Sequence, residues 1–135
     1  MPPAGRPHPG SGYPARMRPF VVKTTAGDDR PEACNQAFTV AAAAAAAGAR
    51  VSLWLTGEAS WFALPGRAAA FRLPHATPLA DLLDVVLADG TVTVCTQCAV
   101  RRGIREADLL PGVRIAGAST FVAETLEPDA QALVY

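Results

Sequence analysis

Apolar residues fall in short runs along this chain, and the runs alternate between two spacings. Phe20-Val21-Val22-Lys23-Thr24-Thr25 is a β-branched run closed by Ala26-Gly27-Asp28-Asp29, which predicts a first strand and a turn. A helix is predicted from Pro31 to Ala47. Proline suits the first helical position, with Asp29 or Arg30 before it and Glu32 favourably placed in the first turn. Its seven consecutive alanines have the best helix propensity, and Gly48 is a natural stop. They also make a thin helix that can lie close on a sheet. Val51 to Leu55 predicts a second strand, ending at Thr56-Gly57-Glu58. Ser60 to Ala70 reads as a short helix broken at Pro65-Gly66. Leu79, Leu82, Leu83, Val86 and Leu87 stand at helical spacing behind Thr77-Pro78, with Thr77 as the expected N-cap and Pro78 at the first position. Thr91 to Val94 is a third strand. Cys95 to Ile104 then opens a loop and short helix. Val113 to Ala116 is a fourth strand, Phe121 to Leu126 a helix, and Ala132 to Tyr135 a closing strand.

Strands alternating with helices imply an α/β fold: a three-layer sandwich with a mostly parallel sheet of about five strands and helices on both faces. Several strands are near-continuous apolar runs, as expected when both faces are buried. Met1 to Pro19 stands apart. It is rich in Pro, Gly and Arg and lacks periodicity, so residues 1–19 are read as a disordered tail and 20–135 as the domain. A binding arm using Arg6, Arg16 and Arg18 is the functional alternative for the tail.

Composition narrows the function. The 135 residues hold one domain with a real core; half are hydrophobic and 18% are charged. The formal net charge of +0 gives no global electrostatic case for nucleic acid or an anionic membrane. No apolar run approaches the ~20 residues of a bilayer-spanning helix. The N-terminus has arginines, but Pro and Gly where a signal peptide carries its apolar stretch. With three cysteines, an odd number, a reduced cytoplasmic setting is expected.

In an open parallel sheet, ligands bind beyond the carboxyl ends of the strands. Four segments should converge there: Ala26 to Asp29, Thr56 to Glu58, Cys95-Thr96-Gln97-Cys98, and Gly117 to Thr120. Cys95 is read as the first residue after its strand, where the amides of the next turn favour a thiolate. Cys98, three residues on, is close enough to form a disulfide or accept sulfur. Arg101 and Arg102 add positive potential, with Gln97, Glu58 and Ser119 as supporting polar groups. A strand-end cysteine is often only a small core residue, and the C-x-x-C spacing is what argues otherwise. Zinc would need four ligands, and only Cys34, His75 and His8 stand outside the pair, so neither metal nor cofactor is expected. Cys34 reads as a packing residue in the alanine helix. Asp28 and Asp29 read as helix caps rather than cation ligands, and Trp54 and Trp61 as core or interface aromatics.

These residues resemble the DsrE/DsrF-like family, which includes the TusD-type sulfur-relay subunits. Three features over Phe20 to Tyr135 carry the resemblance. One is the first strand, the Ala-rich helix ending in Gly48-Ala49, and the strand Val51 to Leu55. Another is Val94-Cys95 followed by Arg101-Arg102-Gly103-Ile104. The last is Gly112 to Ala118, leading through an acidic helix to Leu133-Val134-Tyr135. The resemblance implies that Cys95 matches a cysteine carrying persulfide sulfur in TusD-like members, at the same distance before Arg-Arg-Gly. It also implies a homotrimer or homohexamer and a sulfur donor or acceptor protein as partner. Cys98 has no counterpart in the TusD pattern. Three readings therefore stand: a sulfur-handling protein, possible sulfurtransferase, in which Cys98 modulates or resolves a Cys95 persulfide; a thiol–disulfide or peroxide-reactive protein using both cysteines; and a non-enzymatic oligomeric binding module.

Overall fold

The computed structural model describes residues 18–135; residues 1–17, with Arg6, His8 and Arg16, lie outside the described residues. Its strands are β1 (Pro19–Thr24), β2 (Arg50–Leu55), β3 (Thr91–Cys95), β4 (Val113–Ala116) and β5 (Gln131–Val134). They form one sheet in the order β4-β3-β2-β1-β5, and every neighbouring pair is parallel. The helices are α1 (Pro31–Ala46), α2 (Arg67–Ala70), α3 (Leu79–Asp89), α4 (Thr96–Arg101) and α5 (Ala118–Thr125), with 3-10 turns at Gly57–Ala63 and Glu106–Asp108. This is the α/β architecture expected from the alternating pattern. No helix among the described residues is long and apolar enough to cross a membrane.

Boundaries moved where a local rule had two solutions. β1 begins at Pro19, inside the stretch read as tail, because Pro19 pairs with Arg50. The alanine helix ends as expected. Gly48 takes φ 91, its N–H donates to Ala45 O at 3.0 Å, and Ala49 N–H donates to Ala44 O at 3.0 Å. That is the left-handed glycine stop that relieves the last helical carbonyls. α3 starts at Leu79 rather than Pro78, which is extended at ψ 130 and makes no side-chain cap. The capping role expected of Asp29 is also corrected: α1 has no side-chain cap, and Asp29 Oδ1 instead accepts the Gly27 N–H at 2.8 Å, closing the turn before the helix.

The two faces of the sheet are built differently. One carries the core. Val22, Val51, Leu53, Leu55, Val92 and Val94 are buried beneath α1 and α3, which contribute Ala37, Phe38, Ala41, Leu82 and Val86. Small alanines let α1 lie close on the strands. The other face is covered by α5, and α5 buries none of its residues fully. It is held by a polar and aromatic cluster instead. Glu124 accepts hydrogen bonds from Trp54 Nε1 at 2.6 Å and from Ser52 Oγ at 3.1 Å, and pairs with Arg114 at 2.6 Å. Arg114 Nε donates to Thr93 Oγ1 at 2.7 Å, and Phe121 meets the Trp54 ring edge-on at 5.4 Å. Trp54 is thus a packing residue, as expected.

Candidate functional site

Cys95 is both the last residue of β3, paired with Ala116 of β4, and the residue that caps α4. No loop intervenes, which corrects the expectation that Cys95 follows the strand. The reason is local. Cys95 keeps the extended dihedrals of the strand (φ −64, ψ 132), and Thr96 starts the helix at once. Period-two alternation along Thr91-Val92-Thr93-Val94-Cys95 buries Val92 and Val94 in the core and turns Thr93 and Cys95 to the α5 face. There Cys95, Lys23, Trp54, Thr56, Ala118 and Phe121 line a cavity of about 70 Å³. It has room for about two waters, or for one further sulfur atom on the cysteine.

The electrostatics favour a thiolate. Partial burial alone would raise the Cys95 pKa. The backbone N–H groups of Cys98 and Gln97, the Cys98 thiol and the Lys23 ammonium outweigh burial and hold the thiol below its ordinary range. None of these makes a cap hydrogen bond of standard geometry; they act as dipoles and charge facing a polarizable sulfur. Lys23 is itself placed by its aromatic neighbour, with Nζ 5.2 Å from the Phe121 ring centre.

Cys98 occupies the first turn of α4 and is 8% exposed. The Gly57 N–H, from the turn after β2, donates to Cys98 Sγ at 3.3 Å. Arg102 folds back on the same turn: Nη1 donates to the Cys98 carbonyl at 3.2 Å, and Nη2 lies 3.5 Å from Glu58 Oε1. Glu58 also accepts from Trp61 Nε1 at 2.7 Å. Cys95, Cys98, Glu58 and Arg102 thus come together at the carboxyl edge. Gln97 takes part through its backbone and its side chain is exposed. Arg101 points to solvent, and Ser119 lies exposed in the first turn of α5, beside the cavity residue Ala118. The cation acting on Cys95 is Lys23, which sequence reasoning missed. Its signal was a charged residue near the end of an otherwise apolar parallel strand. Gly57 was missed as a donor because a backbone N–H leaves no trace in residue type.

Cys34 differs in every respect. It is fully buried in α1, and burial, then Asp28 and Asp29, push its thiol up to about 12. It packs, as expected. All three cysteines are free. Among the described residues no three His, Cys, Asp or Glu side chains gather as a metal site. A larger cavity of about 270 Å³, in the α2–α3 connection, is lined by Phe71, Arg72, Leu73 and Pro78 among others. Arg72 is its one charged lining residue and is engaged with the Ala69 and Phe71 carbonyls. It carries no thiol and no free charged group, whereas the smaller cavity holds Cys95 and Lys23.

The contrast gives a measurable pH dependence. Alkylation follows the thiolate fraction, so the Cys95 rate should rise with pH and level off below the ordinary thiol range. Each unit below the inflection should cost about tenfold in rate. Native Cys34 should stay unmodified throughout. Peptide mapping after timed iodoacetamide treatment reads both; a Cys95 inflection at or above that of a free cysteine peptide would contradict the electrostatic assignment.

Comparison with known proteins bears on the fold and the family. The uncharacterized protein MJ0760 of Methanocaldococcus jannaschii is 31% identical over 111 residues, covering 82% of this chain and 40% of its own length. The chain therefore spans about two fifths of the curated relative it matches. The crystal structure of the ychN protein from E. coli superposes with a TM-score of 0.71 at 21% identity, covering 87% of this chain and 98% of that one. A protein of unknown function, MTH1491 from Methanobacterium thermoautotrophicum, gives 0.61 at 11% identity, with the same coverage. These two likenesses concern the fold. The profile of the DsrE/DsrF-like family matches residues 18–131, nearly all of the described chain, and the protein belongs to that family.

Proposed function

We propose that the protein carries sulfane sulfur as a persulfide on Cys95 and relays it to a partner protein. The observation that carries this reading is the half-buried strand-end thiol, biased toward thiolate, opening on a cavity with room for one more sulfur. In the loading step the Cys95 thiolate attacks the outer sulfur of a donor persulfide. A bond from Cys95 Sγ to that sulfur forms, the donor's S–S bond breaks, and the donor leaves as a thiolate. Lys23 and the α4 amides stabilise the negative charge before and after transfer. Family membership supports sulfur handling as the chemistry. A reducing, cytoplasmic setting fits three free thiols.

The same reading makes the chain a homo-oligomer, a trimer or hexamer. Val122, Leu126 and Val134 are exposed on the thinly covered side and at the β5 edge, where a second copy would bury them. Incubation with glutathione persulfide, desalting and intact-mass measurement test the carrier role. The wild type should gain one sulfur atom, and Cys95→Ser none. An equal gain on Cys95→Ser, or a wild type that neither gains sulfur nor releases sulfide, rejects it, and a monomer in sedimentation rejects the oligomer. A second reading, dithiol redox chemistry, is favoured by one observation: the Cys98 thiol faces Cys95.

A further inference from the structure

Cys98 is the part of the site that simple relay leaves unused. A carrier needs one exposed thiol, yet here a second is held under the first. Cys95 and Cys98 sit at the cap and in the first turn of α4, one helical turn apart, where side chains three residues apart face the same way. Cys98 is buried, and its sulfur is engaged by an N–H from a different strand end, 41 residues away in sequence. Arg102, bound to the Cys98 carbonyl and to Glu58, clamps that turn against the segment bearing Gly57. Burial keeps Cys98 away from donor proteins and leaves Cys95 as its accessible target.

We propose that Cys98 resolves the Cys95 persulfide from within, so that the protein reduces sulfane sulfur to hydrosulfide and is left with a Cys95–Cys98 disulfide. The proposal rests on the persulfide reading above. Cys98 gives up its proton, which passes through solvent to the outer persulfide sulfur, and the Cys98 thiolate attacks Cys95 Sγ. The Sγ–Sγ bond forms and the bond from Cys95 Sγ to the sulfane sulfur breaks. The departing sulfur takes the bonding pair and leaves as hydrosulfide. The two cysteine sulfurs together lose two electrons and the sulfane sulfur gains them, so no outside oxidant enters. The Gly57 N–H offsets charge on Cys98 as it ionises, and Lys23, lining the cavity, does so for the leaving hydrosulfide. A dithiol reductant must then restore the pair. This site accordingly stands between a reaction that supplies sulfane sulfur and one that supplies dithiol electrons.

The test uses the full chain under anaerobic conditions. Wild type and Cys98→Ala are loaded with glutathione persulfide and desalted. Intact mass and free sulfide are then followed with time. Cys98→Ala should load more slowly and then keep its extra sulfur. The wild type should lose it, release one equivalent of sulfide, and end two hydrogen atoms lighter than the reduced protein. Wild type that keeps its sulfur as long as Cys98→Ala, or sheds it without the disulfide mass, overturns internal resolution and leaves the carrier reading standing. Migration of the extra sulfur to Cys98, seen by peptide mapping, also overturns it. Failure of both proteins to load overturns the carrier reading and this inference together. The wild-type masses and sulfide yield decide the matter even if Cys98→Ala folds poorly.

Discussion

Replacing Phe62 with alanine is expected to lower the unfolding free energy by about 3–5 kcal/mol, a large part of the ~5–15 kcal/mol available to a domain of this size. Phe62 is 1% exposed and sits between two other rings. Phe38 of α1 meets it edge-on at 5.9 Å, and Phe71, just after α2, does so at 5.7 Å. Each perpendicular contact adds to simple burial, because the electron-poor edge of one ring meets the electron-rich face of another. The three rings tie α1, the 3-10 turn after β2, and the approach to α3 into one block. Truncation leaves a cavity walled by rigid elements, which relax little. Urea unfolding should show the midpoint falling by at least about 1 M, for an m-value of ~1–3 kcal/mol/M. A loss under about 1 kcal/mol would mean that the rings do not form a packed joint.

The second large effect is expected at Gly57, which acts on both stability and the site. Its φ is +52, a region costing an L side chain about 1–2 kcal/mol, and a Cβ there would lie 2.7 Å from the Thr25 carbonyl oxygen. The facing Gly27 is equally tight, with its Cβ position 2.6 Å from the Glu58 carbonyl oxygen. The turns after β1 and β2 thus lie backbone on backbone. Gly57→Ala must therefore push them apart, at a total cost of about 2–4 kcal/mol. Gly66→Ala is the control. Gly66 also has positive φ, at 78, but nothing lies within 4 Å of its Cβ position, so it should show the strain without the clash. Because the Gly57 N–H bonds Cys98, moving the turn should also change Cys98 reactivity in the folded protein, and Gly66→Ala should not. Equal midpoints for the two variants would show that the close approach costs nothing.

Much of the fold was readable because its signals are local. Pro31, the alanines and Gly48 predicted α1 within a residue at its end. The five apolar runs became the five strands. Helix α5 starts three residues before the expected Phe121 because Gly117 takes the extended capping position. The site was legible to a lesser degree. Strand-end placement pointed to Cys95, and spacing pointed to Cys98. Nothing local tied Lys23 to Cys95, since that pairing depends on β1 and β2 lying between β5 and β3 in the sheet. The expectation that strands are apolar on both faces also hid a difference. Ser52, Lys23, Thr93 and Arg114 alternate with core residues, and their shared face becomes the polar seat of α5.

The order and kind of the elements, and a cysteine at the end of a parallel strand, follow from signals within the chain's local pattern. Helix and strand periods, turn residues and caps are properties of a few neighbouring positions, so they can be read without knowing the partner. Which thiol is open and which is buried, that Lys23 rather than Arg102 faces Cys95, and that a backbone N–H of Gly57 reaches Cys98 emerge only when the strands and helices pack together. Those contacts join residues tens of positions apart, and Glu124 reaches Trp54 across 70. Their geometry follows from strand order and crossover packing. Burial and charge at the site exist only once those crossovers are made.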